Sequence, residues 1–279
     1  MNRPVIVTIK ADSLVIVGIL SGIMDVGGIF IVKRKPATGS TFLHSYQKLI
    51  EYYKNGDLSY KYVKTFNIDK YVGLPCNHPE SYHSFFKHID ICPTNSHILD
   101  GNAADLQVEC DAFEKNIKEA REIELFIGGI CPDGHIAFSE PGSSLVSRTE
   151  AKTRAMATIL VNSQFFTREL SKVSTRALTV GVGTVMDTRE VTILITGVHK
   201  AFALPKAIKE GMSHMWTVSA FQQHSCAIFL FDEDATLELK VKPVKYFKGL
   251  IFVHNKLAEL LCSMKETEES QSSKKPNSD

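Results

Sequence analysis

Residues 105–135, DLQVECDAFEKNIKEAREIELFIGGICPDGH, decide the fold. Their first part predicts an amphipathic helix over Asp105–Arg121, and their second part predicts a short buried strand at Ile123–Ile127. The apolar residues that recur near one face of the helix are Leu106, Val108, Phe113, Ile117 and Ala120. A helix that runs into a buried strand is half of a βαβ unit, and this predicts the same alternation of helices and strands elsewhere in the chain.

The alternation continues on both sides of this segment. Helix-length stretches occur at Phe42–Tyr53 and Lys200–Glu210. Further β-branched runs that predict strands are Val5–Ile9, Ile29–Val32, Tyr62–Phe66, Leu178–Val182, Val191–Ile195 and Ala227–Phe231. The pattern predicts an α/β fold, a doubly wound and mostly parallel sheet with helices on both faces, in a single domain over residues 1–263. Residues 264–279 are strongly polar after Met264 and are expected to be a disordered tail.

The composition limits the possible functions. The 279 residues are 44% hydrophobic, and 32 Lys+Arg against 31 Asp+Glu give a net charge of +1. A chain of this kind is globular and has no basic surface on the scale that nucleic-acid binding requires. Six irregularly spaced cysteines without a CxxC pair, and no Asn-x-Ser/Thr site, favour a reducing cytoplasmic location.

One segment offers an alternative location. Ser13–Val32 is almost continuously apolar and precedes three basic residues, which is typical of a membrane span. Asp25 and several glycines interrupt it, however, and a buried helix, a turn at Gly27–Gly28 and a strand at Ile29–Val32 explain it equally well. We expect the buried segment and no membrane association.

Candidate functional residues follow the strands. In a doubly wound sheet, ligands bind beyond the carboxyl ends of the strands. There the sequence places the turn Thr38-Gly39-Ser40-Thr41, the carboxylate of Asp69, the loop 128–135 and Lys200. Taken singly, each has an ordinary explanation: a Ser/Thr helix cap for Thr38–Thr41, a turn residue for Asp69 and a surface lysine for Lys200.

Asp133, His135 and Glu140 are the densest group of ionisable residues. Carboxylates that flank a histidine can raise its pKa and hold it in one tautomer, as a proton shuttle requires. A loop histidine with solvated acids remains an alternative. A metal site is a weaker one, because no second histidine or cysteine was recognised at ligand spacing.

Six motifs in order resemble those of the glucosamine-6-phosphate deaminase family, also called the glucosamine-6-phosphate isomerases. They are TGST at 38–41, FNIDKYVGLP at 66–75, GGICPDGHIAFSEPGSSLVSRT at 128–149, LTVGVGTVMD at 178–187, ITGVHKAFAL at 195–204 and HMWTVSAFQQH at 214–224. The resemblance runs from about Thr38 to the C-terminal tail.

The resemblance implies conversion of glucosamine 6-phosphate and water to fructose 6-phosphate and ammonia, with no cofactor and no metal. It implies that Asp69 is the general base, and that His135, oriented by Asp133 and Glu140, opens the sugar ring. The 6-phosphate would be bound by Thr38, Gly39, Ser40, Thr41 and Lys200. It also implies a homohexamer with an allosteric site for N-acetylglucosamine 6-phosphate, to which Ser143 and Lys152 correspond.

The departures from the family pattern concern the periphery of the site. Gln164 stands where the family has a phosphate-binding arginine, Glu150 replaces an allosteric-site arginine, and Cys131 replaces a glycine. Residues 1–35 do not follow the family's N-terminal pattern. The acid–base set is complete, so we expect a deaminase, whose activity the peripheral departures could impair. The alternative is a weakly active or inactive regulatory subunit that binds phosphosugars.

Overall fold

The computed structural model describes residues 5–8, 29–32, 43–74, 88–121, 123–163, 173–250, 252–253 and 256. The expected phosphate turn Thr38–Thr41, Gln164 and the expected tail 264–279 lie outside the described residues. So does most of Ser13–Val32, of which only the strand at Ile29–Val32 is described. In the part of the chain that the structure describes, every helix is too short or too polar to cross a bilayer.

Seven strands form one sheet in which every neighbouring pair is parallel. In chain order they are β1 (Val5–Thr8), β2 (Ile29–Val32), β3 (Lys64–Asn67), β5 (Ser96–His97), β6 (Leu125–Gly129), β9 (Glu190–Ile195) and β10 (Ala227–Phe231). Their order across the sheet is β1-β10-β9-β6-β2-β3-β5, so β6 and β9 are central. The predicted α/β class and mostly parallel sheet are confirmed.

The remaining strands form a second, smaller sheet that the sequence did not predict. It consists of β4 (Asp69–Tyr71), β7 (Glu150–Thr153) and β8 (Arg176–Thr179), with antiparallel pairing. The segment around Leu178 was predicted as part of the main sheet, and that prediction is wrong. A short apolar run is the same in either sheet, so its pattern did not reveal its partner.

The α-helices of the described part of the chain include α1 (Leu43–Lys54), α2 (Leu106–Glu119), α3 (Met156–Asn162), α4 (Val182–Met186) and α5 (Ala203–Ile208). Helix α2 starts where predicted, because the Asp105 side chain accepts hydrogen bonds from the amides of Gln107 and Val108. Val108 was expected on the apolar face but is 62% exposed. Residues 241–250 are also helical.

Alternate residues of the central strands pack into two separate hydrophobic clusters. In β6, Phe126 belongs to a cluster with α2, whereas its neighbours Leu125 and Ile127 belong to one with Leu49 of α1. Successive side chains of a strand point to opposite faces, so α1 and α2 cover opposite faces of the sheet. Helices on both faces were predicted, and these two clusters show them.

Glu114 of α2 connects this helix to the second sheet. Its Oε1 accepts hydrogen bonds from the amide and hydroxyl of Thr149 (2.9 and 2.6 Å) and from the hydroxyl of Thr184 (2.6 Å). Both threonines are buried. One carboxylate oxygen therefore satisfies three donors that would otherwise lack a partner.

We expect Glu114→Ala to lower the free energy of unfolding by ~1–3 kcal/mol, because it leaves buried donors without an acceptor. Glu119→Ala on the same helix is the matched control, since Glu119 makes only an exposed ion pair with Lys115 and should change stability by less than ~1 kcal/mol. Urea unfolding followed by circular dichroism measures both. Equal effects of the two variants would contradict this account.

Candidate active site

The loop that follows β6 is a tight turn. The amide of Gly134 donates to the carbonyl of Cys131 (2.9 Å), and the amide of Cys131 donates to the carbonyl of His135 (3.1 Å). Ile130 and Ile136 pair across the turn as an isolated bridge. The chain therefore reverses within a few residues at the carboxyl end of a central strand, where ligand sites of this architecture occur.

Gly134 has to be a glycine for two reasons. Its φ of +72° lies in the left-handed region, and a Cβ there would lie 2.5 Å from Cε3 of Trp216. Its carbonyl accepts a hydrogen bond from the amide of Val218 (3.2 Å). The close approach between the turn and the segment around Trp216 is thus possible only without a side chain at 134.

Thr217, in a 3₁₀ helix over Thr217–Gln223, holds the other side of the loop. Its hydroxyl accepts from the amide of Ile136 (3.2 Å) and donates to the carbonyl of Ser139 (2.9 Å). Thr217 is completely buried, so water does not replace these bonds. The position of His135 is set by its neighbours on both sides.

His135 is 2% exposed, and its Nδ1 lies 2.7 Å from Oδ1 of Asp133. That separation is an ion-pair distance, although the ring N–H is not aligned as in a regular hydrogen bond. Burial by itself lowers the pKa of His135, but the Cys131 sulfur and the Asp133 carboxylate outweigh it and raise the pKa to about 10. His135 in turn lowers the pKa of Asp133. The imidazole is therefore protonated at neutral pH.

Asp69 lies where the chain passes from one sheet into the other. Strand β3 ends at Asn67, Asp69 begins β4, and Asp69 pairs with Thr179 of β8. The hydroxyl of Thr179 accepts from the amide of Phe138, which belongs to the loop after the β6 turn. Asp69 is 8% exposed, so it is neither a surface turn residue nor a helix cap.

Arg154 brings the predicted acidic residues together, and the sequence did not indicate it. Its guanidinium is 4.8 Å from the ring centre of Tyr71 and 4.9 Å from that of Phe138. Burial lowers its pKa, whereas electrostatic interactions with Tyr71, Glu140, Asp69 and Cys131 oppose that shift. Groups from two other segments, residues 69–71 and 131–140, therefore interact with one buried cation. A single arginine outside any motif gave no sequence signal.

Glu140 also contacts the segment of Arg154. Its two carboxylate oxygens accept from the amide of Ala155 at 3.0 and 2.8 Å. This contact joins the end of the β6 loop to the start of α3. The predicted role of Glu140 in charging His135 stays a prediction, because Cys131 and Asp133 are the groups that raise the pKa of the histidine.

Lys200 is completely buried, in a 3₁₀ helix just beyond β9. The backbone turns there at Gly197, whose φ is +88° and whose amide is held by both carboxylate oxygens of Asp232. A lysine is rarely enclosed without a structural or binding role. The alternative of a surface lysine is therefore wrong.

The three residues predicted for the allosteric site lie in or near the small sheet. Glu150 and Lys152 are both in β7, and the Lys152 ammonium is 3.2 Å from Oε1 of Glu150. Ser143 is buried, and its amide donates to the carbonyl of Glu140. Glu150 therefore pairs with the cation that the resemblance assigns to the allosteric ligand.

Cys131 is the other residue whose position the sequence did not reveal. One ligand atom each of Cys131, Asp133 and His135 lies within 4.8 Å of the other two. A cysteine and a histidine do meet here, contrary to the expectation that none would. The spacing Cys-x-Asp-x-His was visible, but only the reversal of the chain at Gly134 brings the three side chains together.

A parallel sheet with a buried charged histidine, a buried aspartate and a buried lysine beyond its carboxyl edge defines an α/β enzyme that works by acid–base chemistry on an anionic substrate. The family model for glucosamine-6-phosphate isomerases and 6-phosphogluconolactonases matches residues 38–229. The chain belongs to this family, as the resemblance of its motifs indicated.

Relatives and solved structures agree with this assignment. The chain is 74% identical to glucosamine-6-phosphate deaminase 1 of Homo sapiens over 249 residues, 87% of this chain and 86% of the relative. It is 75% identical to glucosamine-6-phosphate deaminase 2 of Bos taurus over 234 residues, 82% and 85% of the two chains. The fold matches a solved monomeric glucosamine-6-phosphate deaminase with a TM-score of 0.78 and 30% identity, over 85% of this chain and 99% of the other.

We expect Asp133→Asn to lower the pKa of His135, because it removes a negative charge that favours the imidazolium. The pH titration of the His135 ring by NMR measures this shift directly, without an activity assay. Asp187→Asn is the control, since Asp187 is exposed and pairs with Arg148. An unchanged His135 titration in Asp133→Asn would show that the carboxylate does not hold the proton.

Proposed function

We propose that the protein converts glucosamine 6-phosphate and water to fructose 6-phosphate and ammonia. The observation that carries this proposal is the identity of about 74% to glucosamine-6-phosphate deaminases over most of the chain, with the whole acid–base set of their motifs retained. The burial of Asp69 and His135, in segments that follow strands at the carboxyl edge of the sheet, supports it.

His135 acts first, on the closed sugar ring. An imidazolium donates a proton to the ring oxygen as the bond from that oxygen to C1 breaks, and the aldehyde forms when the C1 hydroxyl loses its proton. The carboxylate of Asp133 keeps the histidine charged and its ring in place. A proton held this firmly favours the acid role of His135 over that of a base in the resting enzyme.

Asp69 acts on the open chain. Its carboxylate removes the proton from C2 and returns it to C1, while the aldehyde oxygen gains a proton and the amino nitrogen loses one, so that the amino aldehyde becomes an imine at C2 with a hydroxyl at C1. Water adds to that imine, and ammonia leaves. A carboxylate with little exposure to water is well suited to this transfer, because solvent does not compete for the proton. Asp69 also interacts electrostatically with the buried guanidinium of Arg154.

Lys200 and the turn Thr38–Thr41 bind the 6-phosphate. The complete burial of Lys200 in the segment just beyond β9 supports this role, because an ammonium group is a suitable partner for a phosphate. The matching arginine of the family is Gln164 in this chain, so phosphate binding is weaker here than with two cations. We therefore expect activity to be impaired through weaker binding of the substrate's phosphate.

Neither the comparisons nor the described residues favour the alternative of an inactive regulatory subunit. Asp69, Asp133, His135 and Glu140 are all present, and no substitution removes an acid or base of the set. The departures lie in groups that bind the phosphate or an effector. We therefore expect these substitutions to change the affinity for the substrate and the regulation of the enzyme.

For assembly and regulation we propose a cytoplasmic homohexamer with a weakened allosteric response. The pairing of Glu150 with Lys152 supports the second part, because an activator phosphate would have to compete with a carboxylate for the lysine. Cytoplasmic location rests on the cysteine usage. Gel filtration distinguishes a hexamer from a single chain like that of the solved monomeric deaminase.

The decisive assay measures ammonia and fructose 6-phosphate released in equal amounts from glucosamine 6-phosphate by the purified protein. We expect Asp69→Asn to lower kcat by ~10²–10⁴-fold, because an amide does not accept the proton from C2. Binding of the substrate should change little. Asp57→Asn replaces an exposed carboxylate and serves as the control. Turnover by Asp69→Asn within a few fold of the parent would refute Asp69 as the base.

We expect Gln164→Arg to lower the KM for glucosamine 6-phosphate by about five- to thirtyfold. A charge-assisted bond to phosphate is stronger than a neutral one by ~1–2 kcal/mol, which corresponds to that ratio. Gln107→Arg adds the same charge on the exposed side of α2 and is the control. Unphosphorylated glucosamine should not respond. An unchanged KM would place residue 164 away from the phosphate.

A further inference from the structure

The turn after β6 brings together three side-chain atoms that can bind a metal ion. The proposed reaction uses none of them as a metal ligand. The sulfur of Cys131, a carboxylate oxygen of Asp133 and a ring nitrogen of His135 all lie within 4.8 Å of one another. Within the described ranges, they are the one group of three such side chains with this spacing. Thiolate, imidazole and carboxylate are the ligand types that Zn²⁺ takes in proteins.

The geometry is close to that of a zinc site. Zinc–ligand bonds of 2.0–2.3 Å place neighbouring ligands of a tetrahedral site roughly 3.3–3.7 Å apart. The Cys131 sulfur, the Asp133 oxygen and the His135 nitrogen need to move by only about an ångström to reach this spacing. The side chain of Asp133 is 47% exposed and Cys131 is half-buried, so one side of the group is open to solvent.

An independent observation concerns His135. Its side chain is 2% exposed, and its Nδ1 lies 2.7 Å from Oδ1 of Asp133. The Cys131 sulfur and the Asp133 carboxylate are the two groups that interact with the buried ring and raise its pKa. The ring faces the carboxylate of Asp133 and the sulfur of Cys131, which are negatively charged when they are deprotonated.

We propose that Cys131, Asp133 and His135 form an inhibitory Zn²⁺ site. The ion takes the place of the proton that the His135 ring holds beside the Cys131 sulfur and the Asp133 carboxylate; that proton is released to solvent, and the ion bonds to sulfur, nitrogen and oxygen. Three protein ligands leave a fourth position for water, which is typical of an accessible site. Inhibition itself rests on the proposed function, because zinc removes the proton that His135 donates to the sugar ring.

Cys131 makes this site particular to the present chain. Asp133 and His135 alone provide two ligands, and the family motif has a glycine at position 131. A two-ligand site with a single nitrogen holds zinc weakly. The Cys131 thiolate adds a third ligand, which is also the softest of the three. Soft thiolate ligands select Zn²⁺ over Mg²⁺ or Ca²⁺.

The test uses Co²⁺ as a spectroscopic probe for zinc on the full-length protein. We expect one Co²⁺ per chain, with a sulfur-to-cobalt charge-transfer band in the near ultraviolet, and displacement of that band by one equivalent of Zn²⁺. Cys131→Gly should lose the band and weaken Zn²⁺ binding by more than the ~10–100-fold that loss of an outer-shell partner causes. Cys92→Ser, at an exposed thiol elsewhere, should retain both.

The activity measurement follows the same variants. For each one, the rate with Zn²⁺ is divided by its own rate without Zn²⁺, so that a change in basal rate does not matter. We expect strong inhibition in the parent and in Cys92→Ser, and little in Cys131→Gly. A cobalt complex without a sulfur band, or equal Zn²⁺ affinity of parent and Cys131→Gly, would overturn the site.

The spectra do not depend on turnover, so the site is tested even if the proposed reaction fails. Circular dichroism of Cys131→Gly shows whether the variant is folded. If it is not, Cys131→Ser, which keeps the size of the side chain, provides the same comparison.

Discussion

The site depends on a charged imidazole that is almost completely buried. Removing an ionised histidine from water costs several kcal/mol, and only nearby negative charge can offset this. Asp133 and Cys131 supply it from the same turn, two and four residues away in the chain. Because the interaction is local, it requires the chain to reverse tightly, and the glycine at 134 with its left-handed backbone allows that reversal.

The remainder of the fold holds this turn in place. The central strand β6 presents it at the carboxyl edge of the parallel sheet, and Thr217 and Trp216 enclose it from another part of the chain. The small antiparallel sheet brings Asp69 to the same region through the pairing of β4 with β8. The proposed general base and the proposed general acid are thus carried by segments of different sheets, and the hydrogen bond from the Phe138 amide to the Thr179 hydroxyl joins these segments.

The departures from the family motifs share one physical feature, which is a change of charge or donor at the edge of an intact acid–base set. Glu150 adds a negative charge beside Lys152, and Cys131 adds an ionisable sulfur beside His135. Arg154 provides a buried positive charge among Asp69, Glu140 and Cys131. The electrostatics around the reacting groups has therefore changed more than the reacting groups have.

Much of this could be predicted from the sequence, because periodicity and motif order are local properties of the chain. They determined the α/β class, six of the seven strands of the main sheet, the start of α2 and the residues Asp69, Asp133, His135 and Lys200. The second sheet, the burial of Lys200 and the gathering of acidic groups around Arg154 were decided only by tertiary structure. A three-residue strand such as β4 has no pattern of its own, and a single arginine carries no motif. The physical reason is that both acquire their roles through partners about a hundred residues away in the chain, such as Thr179 for Asp69 and Tyr71 for Arg154.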